Sequence, residues 1–222
     1  MVNEFFIKMK NLFLITFLLG NIFLNAQMRA HVSWNSYDVE SVDISIGDIT
    51  VNLSKDGQIT NFYSESLNGN VDYNEDKNFD QYKFGKLKSI GNVKIDYWDD
   101  FNKNDPKVGK IKSIGDLKID YWDSIGFDKD KLGKVKTVGN VSIDYYENDI
   151  IDNSRLGKLK SIGNVSIDYG TKDIIDQSKY KKLIKFGSVN LDYWNDKIME
   201  KEKFGKLKSI KGNSKDVMVI LL

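Results

Sequence analysis

The chain has 222 residues, 41% of them hydrophobic and 29% charged, with a formal net charge of +1, one histidine, one proline and no cysteine. Without cysteine there is no disulfide framework, thiolate nucleophile or thiolate-ligated metal, and the lone His31 excludes a two-histidine metal site. Charge this close to balance gives no electrostatic case for nucleic acid, whose binding rests on neutralising phosphates. The hydrophobic content is too high for a disordered chain.

Residues 1–26 are expected to be a secretory signal peptide. Lys8 and Lys10 precede an almost unbroken apolar run over 11–24, and Asn25-Ala26-Gln27 places a small residue where cleavage would follow Ala26. The run is shorter than the roughly 20 apolar residues of a membrane span, so no transmembrane segment is expected in the mature chain. Glu4, Phe5 and Phe6 fit poorly in a basic leader, which makes Met9 the better start. A buried N-terminal helix is the alternative. Removing Lys8, Lys10 and Glu4 leaves 31 basic and 31 acidic residues, a formally neutral exported protein of the periplasm, cell surface or extracellular space. No cysteine follows the leader to carry a lipid anchor.

Residues 27–222 are expected to form a single domain. Within it, 28–44 (with Trp34, Tyr37, Val42 and Ile44) supply opening cap strands, 45–210 the repeats, and 211–222 an apolar cap strand. Ser45-Ile-Gly-Asp-Ile-Thr-Val-Asn-Leu53 and Gly57-Gln-Ile-Thr-Asn-Phe62 are shortened versions of a unit that becomes regular further on. Gly85-Lys-Leu-Lys-Ser-Ile-Gly-Asn-Val-Lys-Ile-Asp-Tyr97 recurs from Gly109, Gly133 and Gly157 at a step of 24 residues. A looser copy runs from Lys181, and a half-copy starts at Gly205. Ser54-Lys-Asp-Gly57 between two β-type runs reads as a tight hairpin turn, so the eleven residues between Tyr97 and Gly109 read as the same hairpin with a longer loop.

Val93-x-Ile95-x-Tyr97 alternates as a half-buried strand should, and Leu87 to Ile90 is its partner across the Gly91-Asn92 return. With a three-residue loop of Ile90-Gly91-Asn92, Ser89 faces Val93, Leu87 faces Ile95 and Lys86 lies across from Asp96; Ile90 is left without a role. The fold class predicted is therefore all-β, an antiparallel β-hairpin array of 24-residue period forming an extended meander sheet. The alternative is a parallel β-solenoid, because Leu87-x-x-Ile90-x-x-Val93-x-Ile95 also has the spacing of a leucine-rich coil. At the C-terminus, Met218, Ile220 and Leu222 replace the polar face of the repeat strand, so 217–222 must fold under the sheet or meet a partner.

The chemistry on offer is limited. Asp96, Asp120, Asp144, Asp168 and Asp192 stand on equivalent strands about 9.6 Å apart, a spacing that admits an inverting glycosidase pair; a ladder repeated five times is in kind structural. Asp100-Phe-Asn102-Lys-Asn104-Asp105 has alternating oxygens like a calcium loop, but Asp105 and Ile111 stand where Gly and Glu belong, so no metal is expected. Trp98, Trp122, Tyr146 and Trp194 follow the core tyrosines and point away from the Val-Ile-Tyr face, either packing there or forming a ligand platform that stacks on sugar rings. No Ser-His-Asp set, phosphate-binding Gly-rich loop or cofactor motif is present. Strands of five to seven residues undershoot the 9–11 of a membrane barrel.

The unit Ile-Gly-Asn-Val-x-Ile-Asp-Tyr, a turn, then Gly-Lys-Leu-Lys-Ser-Ile-Gly, over about residues 45–210, resembles repeats in uncharacterised exported bacterial proteins. It is more distantly similar to the Tyr-Asp…Gly-Arg-Leu hairpins of RHS/YD-repeat proteins, from which it departs in its longer loops and Lys-for-Arg change. The resemblance implies a secreted β-hairpin repeat and carries over no catalytic residue. The expected function is a non-enzymatic exported repeat protein that binds or builds structure, its partner an unknown protein or glycan. A carbohydrate-binding module and a glycoside-active enzyme are the alternatives.

Overall fold

The computed structural model describes residues 26–79, 81–99, 102, 104–123 and 129–222. The expected leader, Ala26 apart, lies outside the described residues, as do positions 100, 101 and 103 of the loop weighed for calcium. Strands dominate. The first four are β1 (Gln27–Val32), β2 (Val39–Ile46), β3 (Ile49–Ser54) and β4 (Ile59–Ser64). A long run follows: β5 (Val71–Tyr73), β6 (Leu87–Ile90), β7 (Val93–Tyr97), β8 (Ile111–Ile114), β9 (Leu117–Tyr121) and β10 (Val135–Val138). It continues through β11 (Val141–Tyr145), β12 (Leu159–Ile162), β13 (Val165–Tyr169), β14 (Leu183–Phe186), β15 (Val189–Tyr193) and β16 (Leu207–Lys211), and the chain ends in β17 (Val217–Leu221). No described helix is long and apolar enough to cross a membrane.

β5 to β16 form one twelve-stranded antiparallel meander in strict chain order, and the rest form a five-stranded sheet ordered β17-β1-β2-β3-β4. Each repeat doubles back on itself, as the antiparallel reading expects; the strands do not pile up in parallel coils. The long loops after each Asp-Tyr lie along one edge of the meander and the Gly-Asn turns along the other.

The register differs from the three-residue loop. Ile90 pairs with Val93 and Ser89 with Lys94, so Gly91-Asn92 is a two-residue turn with Gly91 at φ 55°, the first-position glycine of a II′ hairpin. On its other side each strand carries a one-residue bulge. Ile95 pairs with Ile114 and Asp96 with Ser113, but Tyr97 pairs with Ile111, skipping Lys112. The same skip recurs between Asp144 and Tyr145, Asp168 and Tyr169, and Asp192 and Tyr193. A bulge sets two residues against one, which turns both Leu159 and Ile162, three apart, into the core. That explains the leucine-rich spacing without a coil and gives the Ile before each turn its role. The two-residue return, for its part, shifts the hairpin by one and takes Lys86 away from Asp96, whose partner on the next strand is Ser113.

A second difference concerns the extent of the array. The short copy at 45–64 is not part of the meander: Ile46 pairs with Ile49 across Gly47-Asp48, and Leu53 with Ile59 beyond a bulge, so it repeats the unit's geometry within the other sheet. The array opens instead on Asp72-Tyr73, one step of 24 before Asp96-Tyr97, which pairs with β6 through the same bulge.

The five-stranded sheet covers the apolar face of the meander. Ala30, Val32, Val42, Ile44, Val51 and Leu53 meet a row in which Tyr121, Tyr145, Tyr169 and Tyr193 are fully buried. β17 pairs in parallel with β1 and packs against β14 and β15 through Val217, Val219 and Leu221, whereas Met218, Ile220 and Leu222, the face expected to be covered, lie outside that core and Leu222 is exposed. Polar ties seal the layers at the bulges: the N–H of Val135 donates to Gly57 O (2.8 Å) and that of Leu183 to Tyr37 O (2.8 Å). The carbonyls of the same two residues accept the Tyr145 and Tyr193 hydroxyls at 3.0 and 2.7 Å. Cover runs out at the start of the array, where Tyr73 is 55% exposed against 2% for Tyr121.

The turn geometry is directly testable. Gly163 has φ +54°, and a Cβ there meets only ordinary contacts, Val141 Cγ1 at 3.5 Å being nearest. Gly163→Ala is therefore expected to lower stability by about 1–3 kcal/mol through backbone conformation alone, read as a reduced urea midpoint. Exposed Asn164→Ala should stay within about 0.5 kcal/mol of the parent.

Candidate functional site

Each Asp-Tyr strand carries the aspartate on the meander's outer face, and four of the six are followed directly by a platform residue; Asn74 follows β5, and Gly170, after β13, breaks the row. The structure places Trp98, Trp122, Tyr146 and Trp194 in one row beside the long loops, all half-buried, and hydrogen-bonds Trp98 and Tyr146 to the copy that follows each. The Trp98 indole N–H donates to Ile119 O at 3.2 Å. The Tyr146 hydroxyl, 3.0 Å from Ile167 O, does the same one repeat on. The Trp122 Nε1, by contrast, is buried without a hydrogen-bond partner.

Cations already occupy the rings. Lys107 and Lys112 stand 4.8 and 5.3 Å from the Trp98 centroid, and Lys131 and Lys136 both 5.0 Å from Trp122. Arg155 is 4.5 Å from Tyr146, and Lys203 and Lys208 are 4.7 and 5.0 Å from Trp194. Such contacts are favourable where the ammonium is partly desolvated. They engage the π-surface on which a sugar would stack.

The same loop cations hold the aspartates. Lys83 reaches Asp96 (3.2 Å), Lys107 Asp120 (3.0 Å), Lys131 Asp144 (2.7 Å), Arg155 Asp168 (3.1 Å) and Lys179 Asp192 (3.0 Å), always thirteen residues on. Lys112 and Lys160 add a second cation to Asp96 and Asp144, and Glu147 a second carboxylate to Lys131. Burial pushes the Asp96 and Asp144 carboxyls up, but hydrogen bonds and the lysine charges outweigh it and hold both below the usual carboxylate range. Lys179 holds Asp192 down likewise. A glycosidase acid needs a carboxyl raised toward neutrality; these three move the other way.

A second row of lysines lies on the inner side of the long-loop edge. Lys86, Lys110, Lys134, Lys158 and Lys182 stand about one ring-contact distance (4.5–5.1 Å) over Tyr97, Tyr121, Tyr145, Tyr169 and Tyr193. Each ammonium donates to a carbonyl 23 residues on, Lys134 to Gly157 O at 2.7 Å being one instance. Burial lowers the pKa of Lys86, Lys110, Lys134 and Lys182.

Sequence reasoning missed the loop cation that pairs with each aspartate, although a basic residue two positions before each unit's start repeats with the 24-residue step at Lys83, Lys107, Lys131, Arg155, Lys179 and Lys203. It also missed a cluster on the outer face of the five-stranded sheet, where nothing repeats. There the carboxylate of Asp43, buried on β2, lies 3.0 Å from His31 Nε2 on β1 and accepts from Asn52 Nδ2 on β3 (2.7 Å) and from the Tyr63 hydroxyl on β4 (3.1 Å). Burial raises the Asp43 pKa, and the hydrogen bonds from Asn52, His31 and Tyr63 more than reverse it. One carboxylate thus ties four strands in register. Among the described residues no group of three or more His, Asp or Glu side chains is arranged to hold a metal ion. Comparison with protein-family models, curated proteins and solved structures yields no match.

Two outcomes follow from these carboxylates. Asp144→Asn should cost about 1.5–3 kcal/mol, the range for a hydrogen bond to a charged group, measured by urea unfolding at neutral pH. Because the folded pKa of Asp43 lies below its unfolded value of 3.8, its contribution is complete above that value and disappears as pH falls through the folded pKa. The stability gap between the parent and Asp43→Asn is therefore expected at pH 7 and should close progressively below about pH 4 in urea midpoints measured across that range.

Proposed function

We propose that the protein is an exported, non-enzymatic repeat protein of the cell envelope or secretome, with a binding or structural role toward a protein or glycan partner. The observation that carries this reading is the mutual satisfaction of the ladder. Every aspartate, loop cation and platform ring that recurs with the repeat is engaged by a neighbour within its own or the next copy. Catalysis needs an asymmetric pair whose pKa values are split apart, and a carbohydrate platform needs free ring faces. Groups engaged in this way serve instead to hold a long sheet rigid, leaving the long loops and the ends of the meander for contact. Export rests on the basic-then-apolar pattern of residues 1–26.

The test is a titration of the purified protein with a broad glycan panel, following tryptophan emission. The expected outcome is no saturable change, since Trp98, Trp122 and Trp194 already sit under ammonium groups. A saturable change that disappears in Trp122→Ala would convert the reading to a carbohydrate-binding module. Glycan hydrolysis abolished by Asp120→Asn or Asp144→Asn would convert it to an enzyme.

A further inference from the structure

The long loops carry a feature that neither the core nor the ladders use. Ile150 and Ile151, Ile174 and Ile175, and Ile198 and Met199 stand at the same two positions of three consecutive repeats, and all six are between 84% and 100% exposed. Phe79, at the same step of the first loop, is 88% exposed. The meander topology brings these tips to one edge of the sheet, with successive loops two strands, or about 9.6 Å, apart.

The tips are held rather than loose. Asp149 Oδ1 accepts the Ile151 N–H (2.9 Å), Asp173 Oδ1 that of Ile175 (2.8 Å) and Asp196 Oδ1 those of Ile198 and Met199 (both 2.8 Å). Neighbouring loops are braced to one another: the Lys172 N–H donates to Asp152 Oδ2 at 2.7 Å, and Lys197 Nζ to Gln177 Oε1 at 3.4 Å. A braced row of fully exposed aliphatic side chains, repeated at one step, is costly in water and is not the scattered exposure every surface shows.

We propose that this row docks on the interface of a zwitterionic phospholipid bilayer, the isoleucines and Met199 entering the acyl boundary. The shape argues for a fluid apolar phase. The six side chains project in pairs from three separate loops, so a flat protein surface would meet them only at points, whereas lipid closes around each pair. The backbone argues the same way, because the N–H groups of Ile151, Ile175, Ile198 and Met199 are already bonded to the aspartates and enter paired. Charge selects the headgroup. Glu147, Asp149 and Asp152 outnumber Arg155 in the loop of residues 146–156; Asp173 and Asp176 balance Lys172 and Lys179; Asp196, Glu200 and Glu202 balance Lys197, Lys201 and Lys203. No positive excess exists to favour anionic lipid, while Lys172 and Lys201 can extend their ammonium groups to the headgroup level. This docking rests on the reading that the loops of a non-enzymatic protein make its contacts, and adds a lipid surface to the protein or glycan partner of that reading.

The chain's lack of cysteine makes a direct test simple. Ile174→Cys in the full chain, labelled with nitrobenzoxadiazole, is mixed with phosphatidylcholine vesicles, and Asn140→Cys at a tight turn on the opposite edge serves as the second site. The expected result is a several-fold rise and blue shift of emission at position 174 and none at 140, insensitive to salt and not strengthened by added phosphatidylglycerol. In the same assay each Ile→Ser change at positions 150, 151, 175 and 198 should weaken partition about tenfold; these side chains are exposed, so the fold is not at stake. A flat response at 174, an equal response at 140, or a response that needs anionic lipid overturns the proposal. So does a rise with protein concentration alone, which would assign the row to contact between copies. None of these outcomes bears on the glycan titration or the hydrolysis assay, so failure here is distinguishable from failure of the broader reading.

Discussion

The one-residue bulge after each aspartate is the constraint on which the rest of the structure depends. Regular pleating would send Leu159 and Ile162 to opposite faces; skipping Lys160 brings both inward beside Tyr145 and Ile143. The skipped lysine is thereby placed outward, where it reaches Asp144 at 3.3 Å. The bulge also leaves a main-chain donor and acceptor outside the ladder, and a buried pair of this kind must find partners. At Val135 and Leu183 the donor goes to the covering sheet and the acceptor to the tyrosine of the same repeat. One irregularity thus sets the core, the outer ion pairs and the seam between layers.

Lateral growth of such a meander has no internal limit, because each hairpin offers its neighbour the same edge. What limits it is the apolar face, which must be covered. The chain supplies the cover from its two ends: strands before residue 65 and the last strand meet in a second sheet, β17 running parallel to β1. Burial follows the cover, with Tyr145 and Tyr193 sealed and Tyr73 in the open. A charge balanced to +1 across so many lysines and aspartates is the counterpart on the outer face, where cations thirteen residues upstream of each aspartate bind successive elements together.

Repetition has opposite consequences for the two faces and for the loops. On the outer face it makes every group a partner of the next copy, so the tryptophans and aspartates that look like sites taken singly become rungs of a ladder. At the loop tips it multiplies an exposed feature, since side chains pointing away from the sheet gain no neighbour from being repeated. What a repeat array leaves exposed is what the repeat does not satisfy, and here that is the row of aliphatic tips.

Much of this was legible in the residues alone. The 24-residue step, the doubling back forced by Ser54-Lys-Asp-Gly57, the all-β class and the inward tyrosines all follow from local chemistry repeated in register, where each copy corroborates the others. The turn length was not legible, because a two- and a three-residue return read alike until the bulge on the opposite edge is known. Nor was the transfer of the 45–64 copy to a second sheet, since the same local pattern serves either layer. The cluster around Asp43 draws on four strands with no periodicity to reveal it. By itself the sequence determined the hairpin and its spacing, which are short-range; only the tertiary structure decided which face is covered, which rings are engaged and which loops stand free, because those depend on residues far apart in the chain competing for the same surface.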